Sequence, residues 1–294
     1  KNLNLFWSEI LRISVVIPAY NRAHCIQNAI NSVIEQTYPP KEILIVDDGS
    51  TDDLQTVIDG YSLQQLKLIK HRKNKGASQA RNTGIDQAKE DYIAFLDSDD
   101  IWCPNKLEEQ VAFMELHSLE ASCTNFTIYR NDILEKKSVY RPYKSIRLTQ
   151  TDMAWGCFIS PGSTFICKKD FLIQICGYDT DFQRFEDWDL LIRLSGICDI
   201  GWLDKNLSII YNRPHASVES DLQGLDLIKY KYVRSGDSKI KSNVLSSYYF
   251  HRAAIDFNRK KYVSFIFYMV RSLMVQAFNN FPIKTIFIAK IFGK

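Results

Sequence analysis

The chain has 294 residues, of which 46% are hydrophobic and 24% are charged, a composition typical of a globular protein with a buried core. Its net charge of +3 gives no argument for a nucleic-acid partner. The seven cysteines form no Cys-x-x-Cys pair and are odd in number, which disfavours zinc and a disulfide framework and favours reduced thiols in a cytoplasmic protein.

Short apolar runs alternate with amphipathic segments over the first hundred residues. The pattern predicts strands at 13–17, 42–46, 66–70 and 92–96, separated by helices at 23–36, 52–61 and 76–89. This alternation is typical of a doubly wound α/β fold, with a mixed, mostly parallel sheet flanked by helices. Ligands bind such sheets outside the carboxyl ends of the strands, where the polar residues that follow the first, second and fourth strands should converge.

The remaining elements suggest two regions. Helices are predicted at 104–117, 169–176 and 186–195, and strands at 121–130, 138–141, 164–167 and within 203–211. Helical patterns dominate from about residue 222. The sequence therefore predicts an α/β domain over residues 1–220 and a helical C-terminal extension over residues 221–294.

Three acids within four positions, Asp97, Asp99 and Asp100, follow the apolar fourth strand. Carboxylates at the end of a buried strand are costly unless a cation meets them, and Asp-x-Asp suits Mg²⁺ or Mn²⁺. The alternative is a solvated turn or a cap for the next helix. Asp99 is the expected ligand and Asp97 its partner, whereas Asp100 is expected to be a bystander.

Other polar groups follow at strand ends and helix starts. Asp48 lies in an Asp-Gly turn after the second strand, where it could also accept hydrogen bonds from a ligand. Arg81 could reach a phosphate from the third helix, although most arginines are surface cations. Glu186 and Asp187 begin a helix, where the dipole favours acids, and either could also serve as a base. His215 follows a strand and could fold onto a metal.

The C-terminal tail is basic and apolar. From Arg259 to Lys294 there are seven Lys or Arg residues and no Asp or Glu. This pattern predicts an interfacial helix on anionic lipid, at the cytoplasmic face of the inner membrane. The alternative is a helical subdomain that packs on the core or forms a homo-oligomer contact.

Five motifs follow one another along the chain. They are Ser14-Val-Val-Ile-Pro-Ala-Tyr-Asn21, Ile45-Val-Asp-Asp-Gly-Ser-Thr-Asp52, the segment from Asn74 to Gly84, Phe95-Leu-Asp-Ser-Asp-Asp100 and Phe185-Glu-Asp-Trp-Asp-Leu190. In this order they resemble the motifs of family-two glycosyltransferases, inverting enzymes with the GT-A fold, and the resemblance runs from about Ile13 to Val218. Tyr211-Asn-Arg-Pro-His215 resembles a looser C-terminal pattern. The resemblance implies transfer of a hexose-type sugar from a UDP-sugar to a hydroxyl of a glycan, expected to be a lipid-linked surface polysaccharide or oligosaccharide.

The resemblance also implies roles for individual residues. Asp187 would be the general base, supported by Glu186. Trp188 and Trp155 would contact the acceptor, with core packing as the alternative for Trp155. The residues implied for nucleotide-sugar binding are Pro18, Ala19, Tyr20, Asn21, Asp48, Arg81, Asp97 and Ser98. Those implied for Mn²⁺ or Mg²⁺ are Asp99, Asp97 and His215.

Two other classes remain open at this point. A sugar nucleotidyltransferase shares α/β topology and acidic metal sites, but the expected glycine-rich, basic N-terminal signature is missing from residues 13–28. A catalytically inactive binding module could keep the fold. The clustered acids argue against it, because unpaired carboxylates stabilise nothing.

Overall fold

The structure is a computed structural model that describes residues 11–130, 133–135, 145–211, 217–235 and 237–277. Within these residues ten strands form one mixed sheet. The strands are β1 (Ile13–Ala19), β2 (Glu42–Asp47), β3 (Leu66–Lys70), β4 (Tyr92–Phe95), β5 (Ile101–Trp102), β6 (Ala121–Arg130), β7 (Ile133–Glu135), β8 (Arg147–Leu148), β9 (Ile166–Lys168) and β10 (Ile200–Tyr211).

Helices cover both faces of the sheet and continue beyond it. They are α1 (Ile26–Ile34), α2 (Leu54–Asp59), α3 (Ala77–Gln87), α4 (Lys106–Leu116), α5 (Gln150–Trp155), α6 (Pro161–Thr164), α7 (Lys169–Gln174), α8 (Glu186–Leu194), α9 (Val218–Ser235), α10 (Ser238–Asn258) and α11 (Tyr262–Ala277). None of the described helices is long and apolar enough to cross a bilayer.

The strand order is β3-β2-β1-β4-β9-β6-β10-β5, with β7 and β8 pairing outside this path. The ladders that join β3, β2, β1 and β4 are all parallel, whereas β9 runs antiparallel to β4 and β6. Most paired residues lie in parallel ladders, so the predicted mixed, mostly parallel α/β sheet with a helical C-terminal region is confirmed.

Alternating side chains of β1 fill two cores on opposite faces of the sheet. Val15 and Ile17 join the core beneath α1, and Val16 joins the core beneath α3. Gly84 lets α3 approach closely, because a Cβ there would lie 2.3 Å from Cγ1 of Val16. This close contact fixes α3, and with it Arg81, over the ends of the strands.

The later part of the chain departs from the predictions in places. The strand predicted at 164–167 begins instead at Ile166, because Pro161 to Thr164 form the short helix α6. The strand predicted at 138–141 lies outside the described residues. The predicted domain boundary after residue 220 falls inside α9, and the division into two regions stays a prediction.

Candidate active site

A cavity of about 360 Å³ opens at the carboxyl ends of β1, β2 and β4. Every residue implied for nucleotide-sugar binding lines it except Asn21, and so does Asp99. Its lining is Pro18, Ala19, Tyr20, Arg22, Asp48, Asn74, Ala77, Ala80, Arg81, Asp97, Ser98 and Asp99. The topology thus brings together residues that are up to 81 positions apart in the chain, from Pro18 to Asp99.

Asp48 is buried at the floor of the cavity and organises the loop that leads into α3. Its carboxylate accepts hydrogen bonds from the backbone N–H groups of Lys75 (3.0 Å) and Gly76 (2.7 Å). His71 lies with its Nδ1 at 2.7 Å from Asp48 Oδ1. A buried carboxylate needs partners of this kind, so Asp48 shapes the cavity wall as well as lining it.

Asn21 lies behind this wall rather than in it. Its backbone is left-handed, with φ of 55°, and its side-chain oxygen accepts a hydrogen bond of 2.9 Å from the Thr51 N–H. The backbone N–H of Asn21 donates to Ser50 Oγ at 2.9 Å. Asn21 therefore connects the loop after β1 to the loop after β2 by hydrogen bonds. Its effect on the cavity is to hold these two loops in position.

Arg81 is the electrostatic centre of the site. It is buried on α3 and donates from Nη2 to Asp97 Oδ1 at 2.7 Å, while Nη1 lies 3.4 Å from Glu186 Oε1. Burial alone would lower the pKa of Arg81, but the charges of Asp97, Asp187 and Glu186 raise it well above its usual value. A permanently charged guanidinium thus joins the acid cluster after β4 to the acids that begin α8.

Asp187 lies beside Arg81 with one carboxylate oxygen, Oδ1, buried and without a hydrogen-bond partner among the described residues. The pKa of Asp187 is raised to about 7, chiefly by burial and also by the charges of Glu186 and Asp97, while the charge of Arg81 opposes the increase. The hydroxyl of Tyr178 adjoins this carboxylate and also lowers its pKa. A carboxylate that titrates near neutral pH has the proton affinity that a general base needs.

Tyr178 is a site residue that the sequence did not reveal. It is fully buried, and its ring lies 5.2 Å from the guanidinium carbon of Arg81. Its hydroxyl lies close enough to the Asp187 carboxylate to lower the pKa of that group, although the two do not meet in hydrogen-bond geometry within the described part of the chain. Nothing in the pattern around Gly177 distinguishes a tyrosine that packs from one that reaches a base, because the contact to α8 depends on the tertiary fold.

Asp100, which was expected to be a bystander at the metal, has a structural role in the acidic turn. It is buried, and its carboxylate accepts hydrogen bonds from Ser163 Oγ (2.5 Å) and from the Tyr211 N–H (3.0 Å). Burial and the nearby charge of Asp97 raise its pKa well above the usual range. Ser163 also accepts a hydrogen bond from the Asp97 N–H at 3.1 Å. Asp100 and Ser163 therefore anchor the acidic turn to α6 and β10.

The acid cluster offers hard oxygen donors that fit a divalent cation with few protein ligands. Asp99 is held only by a long ion pair of 3.8 Å to Arg22 among the described residues, and Asp97 lines the same cavity. No group of three or more His, Cys, Asp or Glu side chains in the described ranges is arranged to hold a metal. Mg²⁺ is commonly bound by one or two carboxylates together with substrate phosphates, which matches this donor set. His215, the third implied ligand, lies outside the described residues.

The two tryptophans implied for acceptor binding are both buried. Trp188 is 1% exposed and donates from Nε1 to the Met153 carbonyl at 2.7 Å, and Trp155 is 4% exposed. Neither ring presents a free face, so the structure gives no support to direct acceptor contact by Trp188 or Trp155.

A second cavity of about 340 Å³ lies next to the first, and Glu186 lines it. Thr180, Phe182 and Gln183 form part of its wall.

The sheet order and the cavity at its carboxyl edge define the class of this protein as a glycosyltransferase fold of the GT-A type. A crystal structure of TarS from S. aureus in complex with UDP-GlcNAc shares the fold, with a TM-score of 0.69 over 90% of this chain and 81% of that chain, at 21% identity. The mannosyltransferase PcManGT from Pyrobaculum calidifontis, in complex with GDP-Man and Mn²⁺, gives a TM-score of 0.63 over 96% of this chain and 79% of that one, at 19% identity.

The chain belongs to glycosyl transferase family 2, whose sequence model matches residues 14–176. It is 39% identical over 172 residues to the UDP-Glc:alpha-D-GlcNAc-diphosphoundecaprenol beta-1,3-glucosyltransferase WfgD of Escherichia coli, a match that spans 55% of this chain and 68% of that enzyme. Three Rickettsia glycosyltransferases are longer than this chain, and the matched segments span 32% or less of their length.

Proposed function

We propose that this protein is a metal-dependent, inverting glycosyltransferase that moves a hexose-type sugar from a UDP-sugar to a hydroxyl group of a glycan. The observation that carries the proposal is the placement of Asp187. It lies beside Arg81, which is bonded at 2.7 Å to Asp97 in the wall of the donor cavity. Asp187 interacts electrostatically with Arg81 and Asp97, and both of these residues line the cavity in which a nucleotide sugar would lie.

The proposed chemistry follows from these positions. Asp187 accepts the proton of the acceptor hydroxyl as that oxygen attacks the anomeric carbon. The bond from that carbon to the diphosphate breaks, and Arg81 stabilises the negative charge that develops on the departing group. Attack from the face opposite the leaving group inverts the anomeric centre, so an α-linked donor gives a β-linked product.

Asp99 and Asp97 are the residues of the described chain that would hold Mn²⁺ or Mg²⁺, with His215 as a further candidate. Such a cation supplies charge neutralisation at the diphosphate when it is bound. The chain's own contribution is to hold both carboxylates at the cavity edge. Asp100 and Ser163 fix the turn that carries them.

A lipid-linked glycan is the acceptor class we favour. WfgD is named for a diphosphoundecaprenol-linked acceptor and for UDP-Glc, and another relative, at 32% identity over 193 residues, is named for amylovoran biosynthesis. These names support a role in surface polysaccharide synthesis. We propose that it takes place at the cytoplasmic face of the inner membrane, where the C-terminal region would bring the protein to a lipid-linked acceptor.

A panel of UDP-sugars, each incubated with the protein and Mn²⁺ and assayed for UDP release, tests the proposed activity directly. One UDP-hexose should be hydrolysed well above the others, and chelation of the metal should stop the reaction. A sugar nucleotidyltransferase would instead release pyrophosphate from a nucleotide and a sugar phosphate. No UDP release from any donor would favour an inactive binding module.

The metal assignment has its own test in Asp99→Ala. Removing a carboxylate ligand should abolish the part of UDP affinity that depends on Mn²⁺, as measured by calorimetry with and without the metal. Asp86→Ala is the matched control, because Asp86 is an exposed aspartate on α3. Equal UDP affinity of Asp99→Ala and the parent protein in both conditions would remove Asp99 from the metal site.

A further inference from the structure

Helix α11 has apolar side chains on two opposite faces. On its inner face Phe265, Tyr268 and Met269 pack in a small core around Phe250 of α10. Ser272 donates from its hydroxyl to a backbone carbonyl of α10 at 3.0 Å. These contacts fix which side of α11 points toward the protein and which points away from it.

The side that points away, here called the outer face, is apolar as well. Val263 is 86% exposed, Met274 62% and Ile266 58%. The outer face consists of Tyr262, Val263, Ile266, Phe267, Val270, Leu273 and Met274. A surface helix of a globular protein normally turns polar residues outward, so a continuous apolar stripe in this position requires a partner.

Cations border the outer face. Lys260 and Lys261 lie at the N-terminal end of α11, and Arg271 lies along it. The nearest preceding acid in the chain, Asp256, is buried and accepts a hydrogen bond from Ser264 at 2.5 Å. No Asp or Glu occurs from residue 257 to residue 294. The charged side chains that α11 and the turn before it contribute to this surface are therefore all positive.

A cavity of about 700 Å³ lies at the end of the outer face where the two lysines are. Lys260 and Lys261 line it together with the apolar Val263 and the aromatic rings of Tyr262 and Phe267. Ammonium groups next to aromatic and aliphatic side chains match a lipid, which has a phosphate head group next to acyl chains.

We propose that the outer face of α11, with Lys260 and Lys261, is a docking surface for an anionic lipid bilayer. The helix would lie in the plane of the interface, with its apolar stripe among the acyl chains and the lysines among the phosphates. Charge complementarity selects lipid over a second copy of the chain, because a second α11 would bring the same cations and no acid. The proposal concerns this surface alone and does not depend on the reaction.

Vesicle flotation with the full chain tests the proposal. The protein should float with phosphatidylcholine vesicles that contain phosphatidylglycerol, and much less with pure phosphatidylcholine. The combined variant Val263→Ser, Ile266→Ser and Val270→Ser should lower the partition coefficient by at least about tenfold, since three apolar side chains no longer enter the lipid.

Leu116→Ser with Ile173→Ser is the matched control. These two residues are exposed apolar side chains on α4 and α7, so the variant loses similar apolar surface elsewhere on the protein. It should float like the parent. Unchanged thermal unfolding of both variants shows that any difference arises at the surface rather than from loss of the fold.

The double variant Lys260→Ser, Lys261→Ser separates the electrostatic contribution to lipid binding from the apolar contribution. This variant should lose the preference for phosphatidylglycerol and the sensitivity of binding to salt. Equal flotation of parent and outer-face variant, or no flotation of the parent, would overturn the proposal. If the parent protein self-associates without lipid and the outer-face variant does not, the surface binds a second copy of the chain instead.

Discussion

At the scale of single residues, the electrostatics of the site depend on which carboxylates interact with the Arg81 guanidinium. The guanidinium is buried, ion-paired to Asp97 and within 3.4 Å of Glu186, and it also faces Asp187. Burial raises the pKa of Asp187, Arg81 opposes this, and the charges of Glu186 and Asp97 act in the same direction as burial. The result is a pKa of about 7.

Asp187→Asn therefore removes the proposed base while keeping the shape of the side chain. Turnover should fall by roughly 10²–10⁴-fold, the usual loss for a general base, while UDP affinity changes little. Steady-state kinetics and UDP calorimetry on the same preparation measure the two effects. Asp181→Asn, at an exposed position before α8, is the control. Full activity of Asp187→Asn would exclude Asp187 from the role.

The pH dependence of the reaction should report the titration of Asp187. A base acts when deprotonated, so kcat/KM should fall as pH drops below about 7 and level off above it. The adjacent Tyr178 hydroxyl lowers the pKa of Asp187, so Tyr178→Phe should move the acid limb to higher pH.

A merely structural role for Tyr178 would change activity without moving the limb of the pH profile. Tyr61→Phe serves as the control, because its hydroxyl donates to Asn31 on α1, on a remote side of the sheet. Identical acid limbs for the parent and Tyr178→Phe would show that the hydroxyl does not act on the base.

At the scale of elements, periodicity predicted the strands and helices that build the donor cavity. The apolar runs that became β1 to β4 alternate with amphipathic segments that became α1 to α3, so local pattern and tertiary fold agree. The acids at the strand ends followed from topology. Tyr178 and Ser163 could not be predicted, because their roles arise from contacts between elements that are distant in sequence. Trp188 lies in the first turn of the helix that carries Asp187, yet its side chain is buried in the core. The sequence motif does not reveal in which direction that side chain points.

The contact between α3 and β1 can be tested at Gly84. In most helices Gly→Ala is stabilising, but here the new methyl group would lie 2.3 Å from Val16 Cγ1. The overpacking should lower the free energy of unfolding by about 1–3 kcal/mol and shift Arg81. Urea denaturation measures this change, and Gln87→Ala, exposed on the same helix, should stay within about 0.5 kcal/mol of the parent. A more stable Gly84→Ala would contradict the close approach.

At the scale of the whole molecule, the C-terminal helices and the catalytic sheet share one core. Leu225 and Ile228 of α9 and Val244 of α10 lie in the same buried cluster as Leu191 of α8. Lys231 of α9 also forms ion pairs of 2.7 Å with Asp179 and Asp189, next to the site. The helix that carries Asp187 is therefore supported from behind by the helical region.

A chain that ends at residue 217 should consequently fail to fold cooperatively. Burial of a Leu, Ile or Val side chain contributes about 1.5–3 kcal/mol, so losing several removes much of the roughly 5–15 kcal/mol that stabilises a domain. Thermal unfolding followed by near-ultraviolet circular dichroism would show no transition for this chain. A chain that ends at residue 261 keeps α9 and α10 but loses α11, its small core with Phe250 and residues 278–294, and it should keep a transition at lower temperature. A cooperative transition of the shorter chain near that of the full protein would show that the α/β unit is independent of α9 and α10.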